Sequence, residues 1–145
     1  ILNWPNVLHP KALPTSQYGS TSKLVAKYQR ASHLYPKELR SALDQFLDIT
    51  QSLSTAWKSA DVDLIIDLLS SYDAQIKKLD KIGDIGIYTQ GHADIQNIAS
   101  RHNVFYKPSG AGGGDIGLAF SSSLDALSDF SDGIGTVAWN IGCLD

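Results

Sequence analysis

A glycine-rich stretch near the end of the chain, KPSGAGGGDIGLAF at residues 107–120, constrains the fold more than any other segment. It contains five of the twelve glycines and continues directly into an apolar run. Three successive glycines at 112–114 leave a turn without side chains, in which backbone N–H groups can converge on an anion such as a phosphate. The same residues also fit a glycine-rich hairpin turn or bulge between two strands. The glycines alone leave both interpretations open.

The residues on both sides of these glycines have the pattern of strands. VFYKP at residues 104–108 leads into the turn, and after it Ile116, Leu118 and Phe120 alternate with smaller residues. This alternation predicts a strand with one apolar face, and TVAWNI at residues 136–141 predicts a last strand. Because a strand follows the glycines and a Walker A lysine does not, the stretch is neither a dinucleotide fingerprint nor a P-loop.

Two long helices are predicted from apolar residues that recur at steps of three and four. The first opens at Tyr35–Pro36, and the second is capped by Asp61 or Ser59 and stops at Gly83. The short connection between them predicts an antiparallel hairpin that packs on the core, although a partner-binding stripe on one of them is also conceivable.

Shorter elements complete the pattern. Hydroxyl residues at 20–22 and Thr89 are suited to cap two further helices, and residues 121–123 introduce a third. The segment 9–22 is rich in Pro, Ser, Thr and Gly, which predicts a loop. Residues 1–9 are apolar around a proline, which predicts an edge strand or short extended pieces. The order of these predicted strands and helices along the chain indicates an α+β domain.

The composition fits one globular domain and excludes several classes of partner. Of 145 residues, 43% are hydrophobic and 19% are charged, with a net charge of −3. The lysines and arginines are scattered, so neither nucleic acid nor an anionic membrane is an expected partner. No apolar stretch reaches the roughly 18 residues needed to span a bilayer. A single cysteine, Cys143, fits a reducing compartment, and a cytoplasmic location is expected.

The histidines and the chain start lead to two further expectations. The four histidines show no metal-ligand spacing, so each is predicted to lie at the surface and no metal site is expected. The chain begins at Ile1 and contains no methionine. We therefore expect it to be a piece of a longer protein.

The sequence SGAGGGD followed by IGLAF resembles the third signature motif of the GHMP small-molecule kinases, and within that family it is most similar to the phosphomevalonate kinases. Ile116 departs from the cysteine that is most frequent at its position. The resemblance implies that this stretch helps to form the substrate and phosphate site. It assigns Lys107, Ser109, Gly110 and Ala111 to substrate binding, and Gly112, Gly113, Gly114 and Asp115 to the phosphate loop. Whether Asp115 braces the turn or faces the site is left open.

A second stretch, TSQYGSTS at residues 15–22, is similar to the T-G-K-x-x-S-T-S pattern of phosphomevalonate kinases. Ser16 replaces the glycine and Gln17 the lysine, so a cation is missing from the pattern. Ser20 and Ser22 persist and, by resemblance, help to hold the substrate phosphate. From the residues alone, the same hydroxyls are explained as helix caps.

The resemblance implies a ferredoxin-like sandwich, in which a small antiparallel sheet is covered on one face by helices. The parent protein would transfer the γ-phosphate of ATP to phosphomevalonate with Mg²⁺, in the mevalonate route to isoprenoids. The family's nucleotide motifs are absent from this sequence, so ATP and Mg²⁺ are expected to bind mainly to an N-terminal domain. Residues 1–145 are then the C-terminal domain, with no catalytic residue assigned, inactive alone and able to self-associate through the face that the other domain covers.

Other functions remain open at this point. Another GHMP kinase, acting on mevalonate, homoserine or a sugar, fits the same motifs. A non-catalytic ferredoxin-like module that binds an anion or a protein partner fits the fold without the chemistry.

Overall fold

The computed structural model describes residues 3–15, 18–135 and 139–140. Within them the predicted helices are all present. The elements in chain order are β1 (His9–Pro14), α1 (Thr21–Leu34), α2 (Pro36–Ser59), α3 (Val62–Gly83), α4 (Gln90–Arg101), β2 (Phe105–Pro108), β3 (Ile116–Ser121), α5 (Leu124–Ile134) and β4 (Trp139–Asn140). Of the last predicted strand, 136–141, only the two residues of β4 are described. Ser16, Gln17 and Cys143 lie outside the described residues.

The four strands form one antiparallel sheet in the order β2-β3-β1-β4. A βαββαβ chain order with this arrangement is ferredoxin-like, and α1, α2 and α3 are additions to its first crossover, whose sheet-covering helix is α4. The predicted α+β fold, a ferredoxin-like sandwich built on a small antiparallel sheet, is therefore confirmed.

The loop predicted over residues 9–22 is wrong in its first half, because His9–Pro14 is strand β1. Two prolines in six residues argue against a strand, since proline donates no hydrogen bond. The Thr15 N–H donates to the Asp115 carbonyl at 2.7 Å, so the amides of even-numbered residues face away from β3. On that side the two described residues of β4 pair with Lys11 and Ala12. The missing N–H groups of Pro10 and Pro14 therefore face away from β3 and do not interrupt the pairing of β1 with β3.

Helices α4 and α5 cover one face of the sheet. Side chains from both helices and from all three longer strands form a buried cluster there: Leu13, Ile95, Ala99, Val104, Tyr106, Ala119, Leu127 and Phe130. Burial of this many apolar side chains is the main source of stability, at roughly 1.5–3 kcal/mol for each large one.

The α2–α3 hairpin packs at the other side of the strands. Phe105 and Phe120 alternate with Tyr106 and Ala119 along β2 and β3, so they belong to the opposite face. There they join the end of α2, the start of α3 and the N-terminal segment in a second cluster that contains Leu8, Ala56, Val62, Ile65, Leu69 and Phe120. Trp4 meets Trp57 edge to face at 5.1 Å in this cluster.

Most of the predicted helix boundaries are confirmed by the backbone. Asp61 caps α3 by accepting from the Leu64 N–H at 3.1 Å, and Thr89 caps α4 by accepting from His92. Asn103, two residues after the end of α4, has a φ of 55°, in the left-handed region. Among the described helices, none combines the length and the apolar character that crossing a bilayer requires.

Candidate functional site

The glycine loop, defined as residues 109–115, connects β2 to β3. Its base is closed by a hydrogen bond of 2.9 Å from the Ser109 N–H to the Ile116 carbonyl. Four successive residues, Gly112 to Asp115, have positive φ angles of 76°, 78°, 133° and 60°. Glycine takes such angles without steric cost, and aspartate is among the residues that tolerate them. The loop conformation is thus the reason for the three glycines.

The glycine loop lies between two other segments of the chain. A Cβ atom on Gly112 would lie 2.5 Å from Ile87 Cγ2 and 2.7 Å from the Ile87 carbonyl oxygen. On the other side, a Cβ atom on Gly19 would lie 2.8 Å from the Gly112 carbonyl oxygen. Both contacts are too close for a side chain. The backbone of the loop is therefore packed directly against the backbone of the chain that enters α1.

The amides of the loop are not all open to a ligand. The Gly113 N–H donates to the Ile87 carbonyl at 2.8 Å, and the Gly112 N–H makes a longer contact of 3.4 Å with the Ser109 carbonyl. Within the described ranges, the N–H groups of Gly114 and Asp115 have no hydrogen-bond acceptor. Gly114 is buried and Asp115 is exposed, so of these two N–H groups that of Asp115 is open to a ligand.

The start of α1 borders this loop. Ser20 is the N-cap residue, yet its hydroxyl makes no capping bond and lies 3.2 Å from the hydroxyl of Ser22, and both side chains are exposed. The capping role that the sequence suggests for Ser20 is therefore not observed. An uncapped helix N-terminus presents free N–H groups and the positive end of the helix dipole, which together favour an anion.

Asp115 joins the loop to the start of α1. Its Oδ1 atom accepts from the Gly19 N–H at 3.2 Å, and its carbonyl accepts from the Thr15 N–H at 2.7 Å. In the structure Asp115 braces the turn, and its carboxylate remains exposed. The two stretches singled out in the sequence, 15–22 and 107–120, are thus in contact in the fold.

Lys107 lies apart from the glycine turn, on β2. Its ammonium group donates to the Pro108 carbonyl at 2.6 Å. Partial burial lowers the pKa of Lys107, and the carboxylate of Asp73 acts in the opposite direction. The remaining predicted substrate residues follow at the loop entrance, where Ser109 is half-buried and Gly110 and Ala111 are exposed.

The prediction that every histidine lies at the surface is wrong for His92, because the His92 side chain is fully buried. Its Nε2 atom lies 3.1 Å from the Gly114 carbonyl, and its Nδ1 atom lies 2.8 Å from the Tyr106 hydroxyl. Burial is the main reason for the lowered pKa of His92. The sequence carried a signal for this position, because His92 precedes the core residue Ile95 by three residues on α4.

Asp80 also supports the glycine loop, although it lies in neither of the two sequence motifs. Its carboxylate accepts three hydrogen bonds, from the N–H groups of Gly86, Ile87 and Tyr88, at 2.6, 2.9 and 3.0 Å. These bonds order the connector, residues 84–89, whose Ile87 carbonyl holds Gly113. The sequence does contain a signal for this role of Asp80, because an aspartate near the end of a helix precedes a segment with several glycines, and aspartate often accepts hydrogen bonds from nearby backbone N–H groups in turns.

Asp73 extends this polar network beside the connector. It is almost fully buried, pairs with the ammonium group of Lys77 at 3.0 Å, and accepts from the hydroxyl of Tyr88 and the amide of Gln96. Burial and the hydrogen bond to Asp73 raise the pKa of Tyr88. In the part of the chain that the structure describes, no group of three His, Cys, Asp or Glu side chains could hold a metal ion.

The fold and the loop together define a ferredoxin-like α+β domain with an open helix N-terminus beside a glycine turn. No protein-family model matches the chain, and comparison with curated proteins gives no match. Among solved structures it is similar to the Listeria innocua protein Lin0012, with a TM-score of 0.90, 21% identity, and coverage of 97% of this chain and 40% of the other.

Two kinases share the same fold. The chain superposes on L. major mevalonate kinase, solved with R-mevalonate, with a TM-score of 0.84, 17% identity, and coverage of 96% of this chain and 43% of the kinase. For Streptococcus pneumoniae phosphomevalonate kinase, solved with phosphomevalonate and AMPPNP, the TM-score is 0.77, the identity 19%, and the coverage 95% and 41%.

At these identities the similarity establishes a shared fold. The chain spans about two fifths of the length of each of these proteins. The fold expected from the resemblance to GHMP kinases is therefore the fold observed.

Proposed function

We propose that this chain is the substrate-binding part of a GHMP-type kinase that transfers the γ-phosphate of ATP to phosphomevalonate. The observation that supports this most directly is the contact between the two sequence motifs. Gly19, at the start of α1, packs against Gly112 of the glycine loop and donates to Asp115. Two independent stretches that resemble the same family thus border one surface, which carries two exposed hydroxyls and the exposed Asp115 N–H, for which the described residues offer no acceptor.

The geometry suits an acceptor that carries a phosphate. Phosphoryl transfer depends mainly on positioning the acceptor and on stabilising negative charge. The free N-terminus of α1, the hydroxyls of Ser20 and Ser22, and the amide of the exposed Asp115 would hold the acceptor phosphate. Ser109, Gly110 and Ala111 would line the remainder of the acceptor.

Charge neutralisation must come largely from outside this surface. The Lys107 ammonium group is bonded to the Pro108 carbonyl, and Gln17 stands where the related pattern has a lysine. ATP and Mg²⁺ would therefore bind mainly to a separate nucleotide-binding domain, which is the expected partner of this chain. A cytoplasmic location, where ATP and small phosphorylated metabolites are available, belongs to the same proposal.

Mevalonate is the second candidate acceptor. The superposition on L. major mevalonate kinase has a TM-score of 0.84, against 0.77 for the S. pneumoniae phosphomevalonate kinase. Ser16 and Gln17 also depart from the phosphate-binding pattern at two positions. Both observations favour an acceptor without a phosphate. The exposed hydroxyls of Ser20 and Ser22 and the exposed Asp115 N–H, beside the start of α1, favour an acceptor that carries a phosphate.

A coupled assay of ADP release separates these candidates. The complete protein that contains this chain would be offered phosphomevalonate, mevalonate and homoserine separately. Turnover with phosphomevalonate, and a KM for it that rises about tenfold or more when Ser20 and Ser22 are both replaced by alanine, supports the proposal. Ser128→Ala on the exposed side of α5 is the matched control. Turnover with mevalonate alone would support the second candidate, and no turnover with any of them would reject the kinase proposal.

A further inference from the structure

The imidazole of His92 lies directly beneath the glycine loop, where solvent does not reach it. A carbonyl oxygen can only accept a hydrogen bond, so Nε2 must donate to the Gly114 carbonyl across their 3.1 Å separation. In a neutral ring the other nitrogen is then an acceptor, and the Tyr106 hydroxyl donates to Nδ1 at 2.8 Å. The two partners together select one tautomer of His92.

The hydroxyl that selects this tautomer is itself fixed. Tyr106 is almost fully buried and lies so closely over Gly117 of β3 that no side chain fits at that position. The carbonyl of Tyr106 accepts from the Gln96 amide of α4 at 2.9 Å. His92 is thus held by two strands and a helix before it contacts the loop.

The bond from His92 determines the direction of one peptide group. Within the described residues no peptide bond is cis. In a trans peptide the C=O and N–H groups point in opposite directions. Because the Gly114 carbonyl points to His92, the N–H of the next residue, Asp115, points away from it, and Asp115 is exposed and borders α1.

We propose that His92 is a positioning residue, which orients the Gly114–Asp115 peptide so that the Asp115 N–H is presented to an anion beside the start of α1. The identity of that anion, a substrate phosphate, rests on the function proposed above. The orientation of the peptide does not, because it follows from contacts within the chain.

Two substitutions of similar size test the hydrogen bond separately from packing. His92→Gln supplies an N–H donor near the position of Nε2, whereas His92→Leu fills the same space without a donor. His33→Gln, on the exposed side of α1, is the control for loss of a histidine. Hydrogen exchange of the Gly113 N–H, which is bonded to Ile87 next to the oriented peptide, reports on the loop.

The Leu variant is expected to exchange at Gly113 about fivefold to tenfold faster than the unchanged chain, and the Gln variant within about twofold of it. The ring nitrogens of the unchanged chain, observed by NMR, should show a protonated Nε2 and an unprotonated Nδ1. Equal exchange in the Leu and Gln variants, or the opposite tautomer, would overturn the inference.

Titration with inorganic phosphate distinguishes this inference from the proposed function. A phosphate-dependent shift of the Asp115 amide signal that persists in the Gln variant and is lost in the Leu variant supports both. A shift that is unchanged in the Leu variant rejects the positioning role of His92 and leaves the proposed function standing. No shift in the unchanged chain, with the expected tautomer and exchange difference present, rejects the phosphate site while the orientation of the peptide by His92 stands.

Discussion

The carboxylate of Asp115 accepts a hydrogen bond of 3.2 Å from the N–H of Gly19, a residue 96 positions earlier in the chain. The carbonyl of Asp115 also accepts from the N–H of Thr15 at 2.7 Å. One residue at the end of the glycine loop thus fixes the segment that leads from β1 into α1. The relative position of the loop and the helix N-terminus depends on this contact.

Replacing Asp115 should loosen that segment to a degree set by the new side chain. Asp115→Asn keeps an acceptor and tolerates the positive φ of 60°, so a small loss of stability is expected. Asp115→Ala removes the acceptor and strains the backbone, which should lower the free energy of unfolding by about 1–2 kcal/mol. Denaturant unfolding measures both. Equal stability of the two variants would show that the contact with Gly19 contributes nothing.

Close packing at Gly112 predicts a second difference between matched variants. Gly110 and Gly112 both have positive φ angles, of 63° and 76°, but a Cβ atom on Gly110 would meet nothing within 4 Å. Gly110→Ala should therefore lower the free energy of unfolding by only about 1 kcal/mol, the cost of a positive φ angle for a residue with a Cβ atom. Gly112→Ala should cost about 1–3 kcal/mol more, because its methyl group overlaps Ile87. Thermal unfolding of the two variants checks this, and similar melting temperatures would contradict the contact with Ile87.

The sequence predicted local structure well where one physical signal was sufficient. Asp61 and Thr89 cap their helices as expected, because capping depends on a few adjacent residues. Strand β1 was missed because its pairing with β3 is decided by residues more than 100 positions away, which outweigh the unfavourable prolines. Local propensity contains no information on that pairing.

The exposed residues of the candidate site could be predicted from the sequence, but the residues that hold the glycine loop in place could not. The glycines of the loop and the hydroxyls of Ser20 and Ser22 have a pattern that can be read along the chain. His92 bonds to Gly114, and Asp80 reaches the loop through Ile87, whose carbonyl holds Gly113, so only the fold brings these two residues to the loop. A buried polar residue such as His92 resembles a surface residue in a sequence, since burial depends on tertiary packing.

Asp80 supports a third prediction, on the connector that holds the glycine loop. Asp80→Asn exchanges one acceptor oxygen for a donor, so at least one of the three N–H groups loses its partner and the stability should fall by about 1–2 kcal/mol. Exchange of the Gly113 N–H should also quicken, because its acceptor, the Ile87 carbonyl, lies in the loosened connector.

Asp84→Asn is the matched control for this change of charge. The Asp84 side chain is fully exposed and lies 3.9 Å from the ammonium group of Lys27, so no measurable change in stability is expected. A loss of stability as large in this variant as in Asp80→Asn would attribute the effect to charge rather than to the three hydrogen bonds.

The buried imidazole of His92 gives the last prediction, a dependence of stability on pH. Burial and the neighbouring Lys107 lower the pKa of His92 below its ordinary value of 6.5, and the Gly114 carbonyl and Asp115 oppose this lowering. Below pH 6.5 the unfolded chain therefore binds a proton at this residue that the folded chain does not. The contribution of His92 to the free energy of unfolding is complete above pH 6.5. It is lost as the pH falls, with a slope of up to about 1.4 kcal/mol per pH unit.

Glutamine at position 92 does not titrate, so the His92→Gln variant removes this slope. The free energy of unfolding, measured by denaturant between pH 7.5 and pH 5, should fall more steeply for the unchanged chain than for the variant. His33→Gln should follow the unchanged chain, because the His33 side chain is exposed on α1. If the curves for the unchanged chain and His92→Gln ran parallel over this range, His92 would bind its proton equally in both states, and burial beneath the glycine loop would not control its protonation.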